Sequence, residues 1–323
     1  MAPLDGRLSA VLKPGMAHHH SQLLGIALKI VSTMAFVAMS TIVKVVSARY
    51  PTGEIVFFRS AFALIPVLIW ASWSMPFWRV YETRRFGGHV LRSIAGVCGM
   101  FCGFTALSLL PIADATAINY ALPLMTVVFA VILLREQVHA YRWAAVAIGF
   151  VGVLVILSDY VGPAGHSGQR SLLGAGIALF GAMVGALAQT QTRRLAKIEA
   201  GPTIVAYFST FTALAGAATL PFHWVSPTLP DLIILILCGV FGGLGQVLLT
   251  ASVKYGDASV IAPFEYVSMI WVLTVSFFVF GSWPTVTVLI GTAIVIGSSL
   301  FVIWREHQLG LERARAAAAA PLT

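Results

Sequence analysis

Charge is scarce in this chain. Of 323 residues only 12 are acidic and 20 are Lys or Arg, together 10%, against 59% hydrophobic residues. A soluble domain carries about 25% charged residues, and a mean hydropathy of +0.90 excludes a water-soluble globule and makes the lipid bilayer the first partner. Cysteine is equally sparse. Cys98, Cys102 and Cys238 all fall in or near apolar runs, so neither a disulfide framework nor a zinc site is implied. Cys98 and Cys102 stand one helical turn apart and read as packing. The triple His at 18–20 has no acidic or Cys companion and reads as a solvated terminus. Catalytic motifs are missing too. There is no Gly-x4-Gly-Lys-Ser/Thr string for ATP, and the apolar runs hold no paired Asp, Ser with His, or His-Glu-x-x-His constellation for intramembrane proteolysis. The largest loops, about a dozen residues, leave no room for a transferase site. Neither an enzyme nor a cofactor is expected.

What the chain does have is ten apolar runs of spanning length, at 22–47, 53–74, 88–109, 113–134, 142–159, 171–192, 202–221, 231–252, 257–280 and 285–304. Joints as short as "PIAD" and "GSWP" make neighbouring runs antiparallel. With the N-terminus in the cytoplasm, fourteen of the 20 Lys and Arg fall inside. Only Arg49 and Arg170 fall outside, and Lys29, Lys44, Arg59 and Arg92 lie within spans. Both termini are therefore expected to be cytoplasmic, with the first span an uncleaved signal anchor. The net charge of +8 follows from this asymmetry and from anionic inner-leaflet lipid, and gives no case for nucleic acid.

The chain also repeats itself. "GIAL" occurs at 25–28 and 176–179, "DATAINYALPLM" from Asp114 resembles "DASVIAPFEYVSM" from Asp257, and Gly149 matches Gly291. Two halves follow, 21–159 and 171–305, joined by a periplasmic linker at 160–170 and flanked by cytoplasmic tails at 1–20 and 306–323. Five spans per half force the second half upside down relative to the first. The expected fold is an all-α polytopic membrane protein, ten transmembrane helices in two inverted five-helix repeats, the architecture of alternating access.

At this point the residues resemble a known family. Five plus five spans, with "LREQVHAYRWAAVAIGFVGVLVIL" closing the first half and Glu136 followed by Gly149 and Gly152, are similar to the EamA family of the drug/metabolite transporter superfamily. The second half departs from the pattern, with Ser282 in "FGSWP" where the family writes Gly-Glu-x-Pro. "YPTGEIVFFRSAFALIP", "APFEYVSMIW" and "FVIWRE" resemble the riboflavin importer branch, and S-adenosylmethionine importers are a more distant likeness. The resemblance implies a secondary transporter of a small organic metabolite in the bacterial inner membrane. Riboflavin uptake comes first, S-adenosylmethionine or an amino-acid metabolite second, and a non-transporting scaffold or receptor is the alternative of another class. Nothing in the sequence bears on oligomeric state.

Embedded polar residues mark the expected pathway. A charge at mid-bilayer costs at least ~2.5 kcal/mol and has to be paired, face a cavity or snorkel. Counting about 1.5 Å per residue, Glu265, Lys29 and Gln246 lie at similar depth from the cytoplasmic side and are expected to meet. Glu265 either faces a central cavity beside Phe264 and Tyr266 or locks two helices by pairing with a base. Pro263 is expected to kink its helix there. Lys44, Glu54, Arg59, Asp114 and Asn119 fall toward the outer side. Arg59 either reaches Asn119 or Asp114 on another helix or snorkels outward, and Lys44 reads as a snorkelling residue that also serves as an attractor for anionic or electron-rich solutes. Asn119 and Tyr120 either have the polar and stacking chemistry that a flat heterocycle needs or pack between helices with one hydrogen bond. The GxxxG pairs Gly99/Gly103 and Gly181/Gly185 read as packing, and Gly243 and Gly245 in "GGLG" as packing or a flexible gating point. Glu265 and Glu54 are the candidate protonatable sites.

Overall fold

The computed structural model describes residues 13–134, 139–161, 169–222, 224–255 and 258–319. Glu136 and Asp257 lie outside the described residues. Twelve α-helices follow in chain order: α1 (Lys13–Val46), α2 (Thr52–Ser74), α3 (Phe86–Leu109), α4 (Ile112–Asn119), α5 (Ala121–Leu134), α6 (Ala140–Ser158), α7 (Gln169–Leu195), α8 (Gly201–Ala217), α9 (Leu229–Tyr255), α10 (Ala258–Ile261), α11 (Val267–Phe278) and α12 (Val286–Ala319), with no strand among the described residues. Eight helical stretches are long and apolar enough to cross a membrane, α4 and α5 forming one of them. The seventh and ninth expected runs are shorter. α8 has 17 residues and gives way to turns at 218–222. The ninth run is broken by a 3₁₀ stretch, Ala262–Tyr266, that contains Pro263 and separates α10 from α11. Pro263 supplies no N–H and its ring crowds the preceding turn, so a regular α-helix cannot continue through it.

Small residues decide which helices touch. α1 lies along α9, α3 along α7, α6 along α12, and α2 along both α8 and α9. Lipid offers no hydrophobic drive for helix association, so close backbone approach and van der Waals contact have to hold these pairs. The two GxxxG pairs face each other across the α3/α7 seam. A methyl added to Gly99 would sit 3.3 Å from the Gly185 nitrogen, and one added to Gly181 would sit 2.8 Å from Cys102 Cβ. A methyl on Gly152 would lie 2.8 Å from the Gly291 carbonyl oxygen across α6 and α12. Gly243 abuts Ala63 and Pro66 of α2, and Gly245 abuts Phe36 of α1, so these glycines seat α9 between its two neighbours.

Polar ties close the end of the bundle that bears the α1–α2 turn. The Lys44 ammonium donates to the Leu110 carbonyl oxygen at 2.7 Å, at the C-terminus of α3. The expected snorkelling is thereby corrected: an unsatisfied carbonyl at the negative end of a helix dipole lies nearer than the headgroups. Asp231 accepts from Tyr50 at 2.8 Å and from Arg49 at 3.3 Å. Thr285 donates to Asp159 at 2.9 Å, and the Tyr160 hydroxyl donates to Asp114. Burial, reinforced by the Asp114 carboxylate, holds the Tyr160 phenol well above the usual tyrosine range, which keeps it a donor.

The "FGSWP" departure also has a structural account. Gly281 adopts φ +58°, its N–H bonds the Phe277 carbonyl at 3.1 Å, and the Ser282 N–H bonds the Ser276 carbonyl at 3.0 Å. This is a left-handed glycine cap on α11.

Three stability outcomes follow, each read by thermal unfolding in detergent. Gly281→Ala is expected to cost about 1 kcal/mol through its positive φ. Lys44→Met should cost about 1–2 kcal/mol by uncapping α3. Gly152→Leu should cost about 2 kcal/mol or more by overpacking the α6/α12 seam, whereas Gly176→Ala, with nothing within 4 Å of the added methyl, should leave unfolding unchanged. Equal behaviour of Gly152→Leu and Gly176→Ala would contradict the seam.

Candidate functional site

Two interrupted spans meet inside the bundle. The first breaks at Tyr120, between α4 and α5, and the second breaks at Ala262–Tyr266, between α10 and α11. The Tyr120 hydroxyl and the Ser268 hydroxyl are 2.7 Å apart, and Ser268 in turn donates to the Glu265 carbonyl oxygen at 2.6 Å. The Tyr120 and Tyr266 rings pack edge to face at 5.2 Å. A chain of polar contacts therefore runs from one break to the other, with an aromatic pair beside it.

The charge at this junction is Glu265, whose carboxylate accepts from Lys29 on α1. The two partners are unevenly covered. The Lys29 side chain is 6% exposed and that of Glu265 is 45% exposed. The ammonium is thus held by protein, while the carboxylate retains free lone pairs that another donor can reach. Nearby on α11, the Trp271 indole N–H is buried with no hydrogen-bond partner, a donor without an acceptor. Asn119 is exposed at the α4–α5 break.

Not every residue expected here arrives. The Gln246 side chain bonds neither Lys29 nor Glu265, and the helix register explains why. Along the α1/α9 contact, Gly25 abuts Ser252 and Gly245 abuts Phe36, so Lys29 stands opposite the region of Leu249 and Gln246 stands about one turn deeper. Arg59 neither snorkels nor reaches Asn119 or Asp114. It is 4% exposed, lies beside Gly242 and Met39, and makes no hydrogen bond among the described residues. Pro263 lies within the 3₁₀ stretch, and Gly243 and Gly245 lie in packed seams. Glu54 is fully buried near the start of α2, where it accepts from the Val225 N–H at 3.0 Å, away from this junction.

Three residues join the picture that sequence alone did not single out: Ser268, Trp271 and Arg92. A serine and a tryptophan in an apolar run carry no pattern of their own, and their significance comes from the partner that each has or lacks. Arg92 carried a signal, an arginine inside a span, but no sequence spacing linked it to Arg59.

The comparisons with known proteins agree with this architecture. The chain is similar to the S-adenosylmethionine uptake transporter of Rickettsia bellii, 27% identical over 288 residues, which cover 88% of this chain and 95% of that protein. It is similar to the pseudopaline exporter CntI of Pseudomonas aeruginosa, 27% identical over 262 residues, covering 76% and 84%. It is likewise similar to the riboflavin transporter of Vibrio cholerae, 26% identical over 304 residues, covering 92% and 99%. A solved crystal structure superposes with a TM-score of 0.59 over 90% of this chain and 99% of its own, at 19% identity, a likeness of fold. The EamA-like transporter family profile matches residues 23–158 and 172–304. With most of its length matched, and a multi-pass helical bundle to carry it, the chain belongs to the EamA-like transporter family.

Proposed function

We propose that this transporter moves a zwitterionic, amino-acid-bearing metabolite with a planar heterocycle, of which S-adenosylmethionine is the representative, across the bacterial inner membrane. The Lys29–Glu265 pair carries the reading. An ion pair with one covered and one open partner can trade its internal contact for two external ones: a solute carboxylate beside Lys29 and a solute cation beside Glu265. One carboxylate and one cation of the solute replace the contact that the pair gives up, so neither ion is left bare in low dielectric, and the second positive charge of S-adenosylmethionine falls to the aromatic faces. Tyr120 and Tyr266 supply the aromatic faces that a flat ring and a sulfonium both favour. A half-open carboxylate against hydrocarbon would be costly, so Glu265 faces a polar pathway. Riboflavin is the second reading, favoured by the Tyr120/Tyr266 pair and by the relative from Vibrio cholerae, but a neutral ring leaves the ion pair without a role.

Alternating access between two inverted halves, 21–159 and 171–305, would drive the movement. Packing supports this reading. Exchanging each helix for its counterpart in the other half turns the α1/α9 contact into α7/α3 and the α2/α9 contact into α8/α3, and it returns α2/α8 and α6/α12 to themselves. The breaks correspond as well, because Tyr120 plus the repeat offset of 143 falls on Pro263. Ten crossings with both termini cytoplasmic follow, α8 and the α10–α11 segment being the short ones. Fusing a fluorescent protein and a periplasm-dependent phosphatase to each terminus in turn tests this. Fluorescence without phosphatase activity at both ends is expected, and phosphatase activity at either end would contradict it.

The substrate test is counterflow of labelled S-adenosylmethionine and labelled riboflavin in proteoliposomes, which is blind to direction. S-adenosylmethionine exchange is expected, lowered about tenfold or more in Glu265→Gln, a loss of about 1.4 kcal/mol or more. That variant leaves Lys29 unpaired, so Lys29→Met/Glu265→Met is run beside it at matched protein level. A folded double variant without exchange marks the pair as a solute contact, and one that exchanges at the wild-type rate marks it as a helix lock. Exchange of riboflavin alone, lost in Tyr120→Ala, would overturn the zwitterion reading.

A further inference from the structure

α2 and α3 bring a second charged cluster into the bundle, apart from the Lys29–Glu265 junction. Arg59 is 4% exposed and Arg92 is 7% exposed, and among the described residues neither forms an ion pair. Arg59 has a buried Nε–H with no partner, and Arg92 has a buried Nη1–H with none. Arg92 is held from two sides. Its Nε–H donates to Thr192 Oγ1 at 3.2 Å, and its guanidinium lies 3.8 Å above the Phe208 ring. The buried Ser93 hydroxyl beside it also lacks a hydrogen-bond partner. Ser60 Oγ lies 3.8 Å from Met100 Sδ across α2 and α3, and Gly243 abuts Ala63, so the Arg59 guanidinium beside Gly242 and the Arg92 guanidinium beside Gly96 stand at about the same level of the bundle.

Two glycines accommodate this arrangement. A methyl on Gly242 would come within 2.9 Å of Arg59 Nε, and one on Gly96 within 2.6 Å of the Phe208 ring and 3.4 Å of Arg92 Nη1. The fold thus leaves room for the guanidinium groups while giving them no carboxylate. Desolvating one arginine is costly and desolvating two that repel each other is costlier. Orphaned N–H donors in a fixed fork match the paired oxygens of a carboxylate or phosphate.

We propose that Arg59 and Arg92 form an intramembrane anion site that takes the carboxylate or phosphate group of an organic molecule. An anion between the guanidinium groups satisfies the orphaned donors and cancels their repulsion. Arg92, already fixed by Thr192 and Phe208, is the static half of the site, and Arg59, with no hydrogen bond, is the half that reorients on binding. The site is independent of the substrate assignment, because it would bind an anion whether or not the protein carries S-adenosylmethionine.

The test is thermal unfolding of the full chain in nanodiscs at constant ionic strength, with chloride replaced stepwise by acetate, citrate or inorganic phosphate. Discs of phosphatidylcholine are compared with discs containing phosphatidylglycerol. A saturable rise in melting temperature of about 3 °C at ten times the dissociation constant is expected for at least one anion. The rise should vanish in Arg59→Gln and Arg92→Gln, weaken in Arg59→Lys, and persist in Lys29→Gln. A rise produced by phosphatidylglycerol alone assigns the site to a lipid headgroup, and one produced by a soluble anion in phosphatidylcholine assigns it to a solute; either supports the site. If no anion and no phosphatidylglycerol stabilises the wild type, or if stabilisation survives in both Arg→Gln variants, the proposal is wrong. Should both Arg→Gln variants fail to fold, the wild-type series and Arg59→Lys decide the matter, because an Arg59→Lys response equal to wild type would also overturn it.

Discussion

Inside hydrocarbon a polar group has no water to fall back on, and each one that the chain carries there has to be met by another part of the protein. This constraint sets the geometry of the bundle more strongly than hydrophobicity does, because the apolar side chains are as content against lipid as against each other. Lys29 is secured by Glu265, Lys44 by a helix-terminal carbonyl, and the broken backbone at 262–266 by its 3₁₀ bonds and Ser268. The first two of these ties join elements far apart in sequence, and the third is local. Glycine seams then draw the helices close enough for such short side-chain links to reach.

The same constraint separates charges whose needs are fully met from those with hydrogen-bonding capacity left over. Lys44 meets a partner that asks nothing further of it. Glu265 meets Lys29 with part of its carboxylate still open, and among the described residues the buried Arg59 Nε–H has no hydrogen-bond partner. Degree of satisfaction, more than depth in the membrane, separates these residues. A contact that is complete holds the fold, and one that is incomplete is where the proposed solute contacts are placed.

Helices were easy to read from the sequence because a bilayer imposes one length and one composition on each of them. The Pro263 interruption was legible because proline acts through its own backbone. Gly99 with Gly103 and Gly181 with Gly185 were legible as seams, though nothing in the sequence said that the two pairs face each other. Side-chain partnerships were less accessible. Depth counting brought Lys29 and Glu265 to one level correctly but put Gln246 there too, since a count along each helix ignores how α9 is staggered against α1. Arg59 and Lys44 were misjudged for a related reason. Snorkelling assumes that the surface is the nearest relief for a charge, and here a carbonyl on α3 in one case and a glycine-lined niche in the other stood closer. The Tyr120–Ser268 contact joins residues 148 apart, and no local spacing could announce it.

At about 1.5 Å per residue the 17 residues of α8 reach only about 26 Å, short of the ~30 Å hydrocarbon thickness of an ordinary bilayer. Its continuation is not buried in protein, since Leu220 and Phe222 stand exposed at the surface. In the ten-crossing arrangement proposed above, lipid beside α8 has to shorten to match it, or the turns at 218–222 have to dip below the headgroups, at a cost that grows with acyl-chain length. In that arrangement the thickness of the bilayer bears on the helix whose neighbour, α2, carries Arg59, and the membrane becomes one of the protein's adjustable parts.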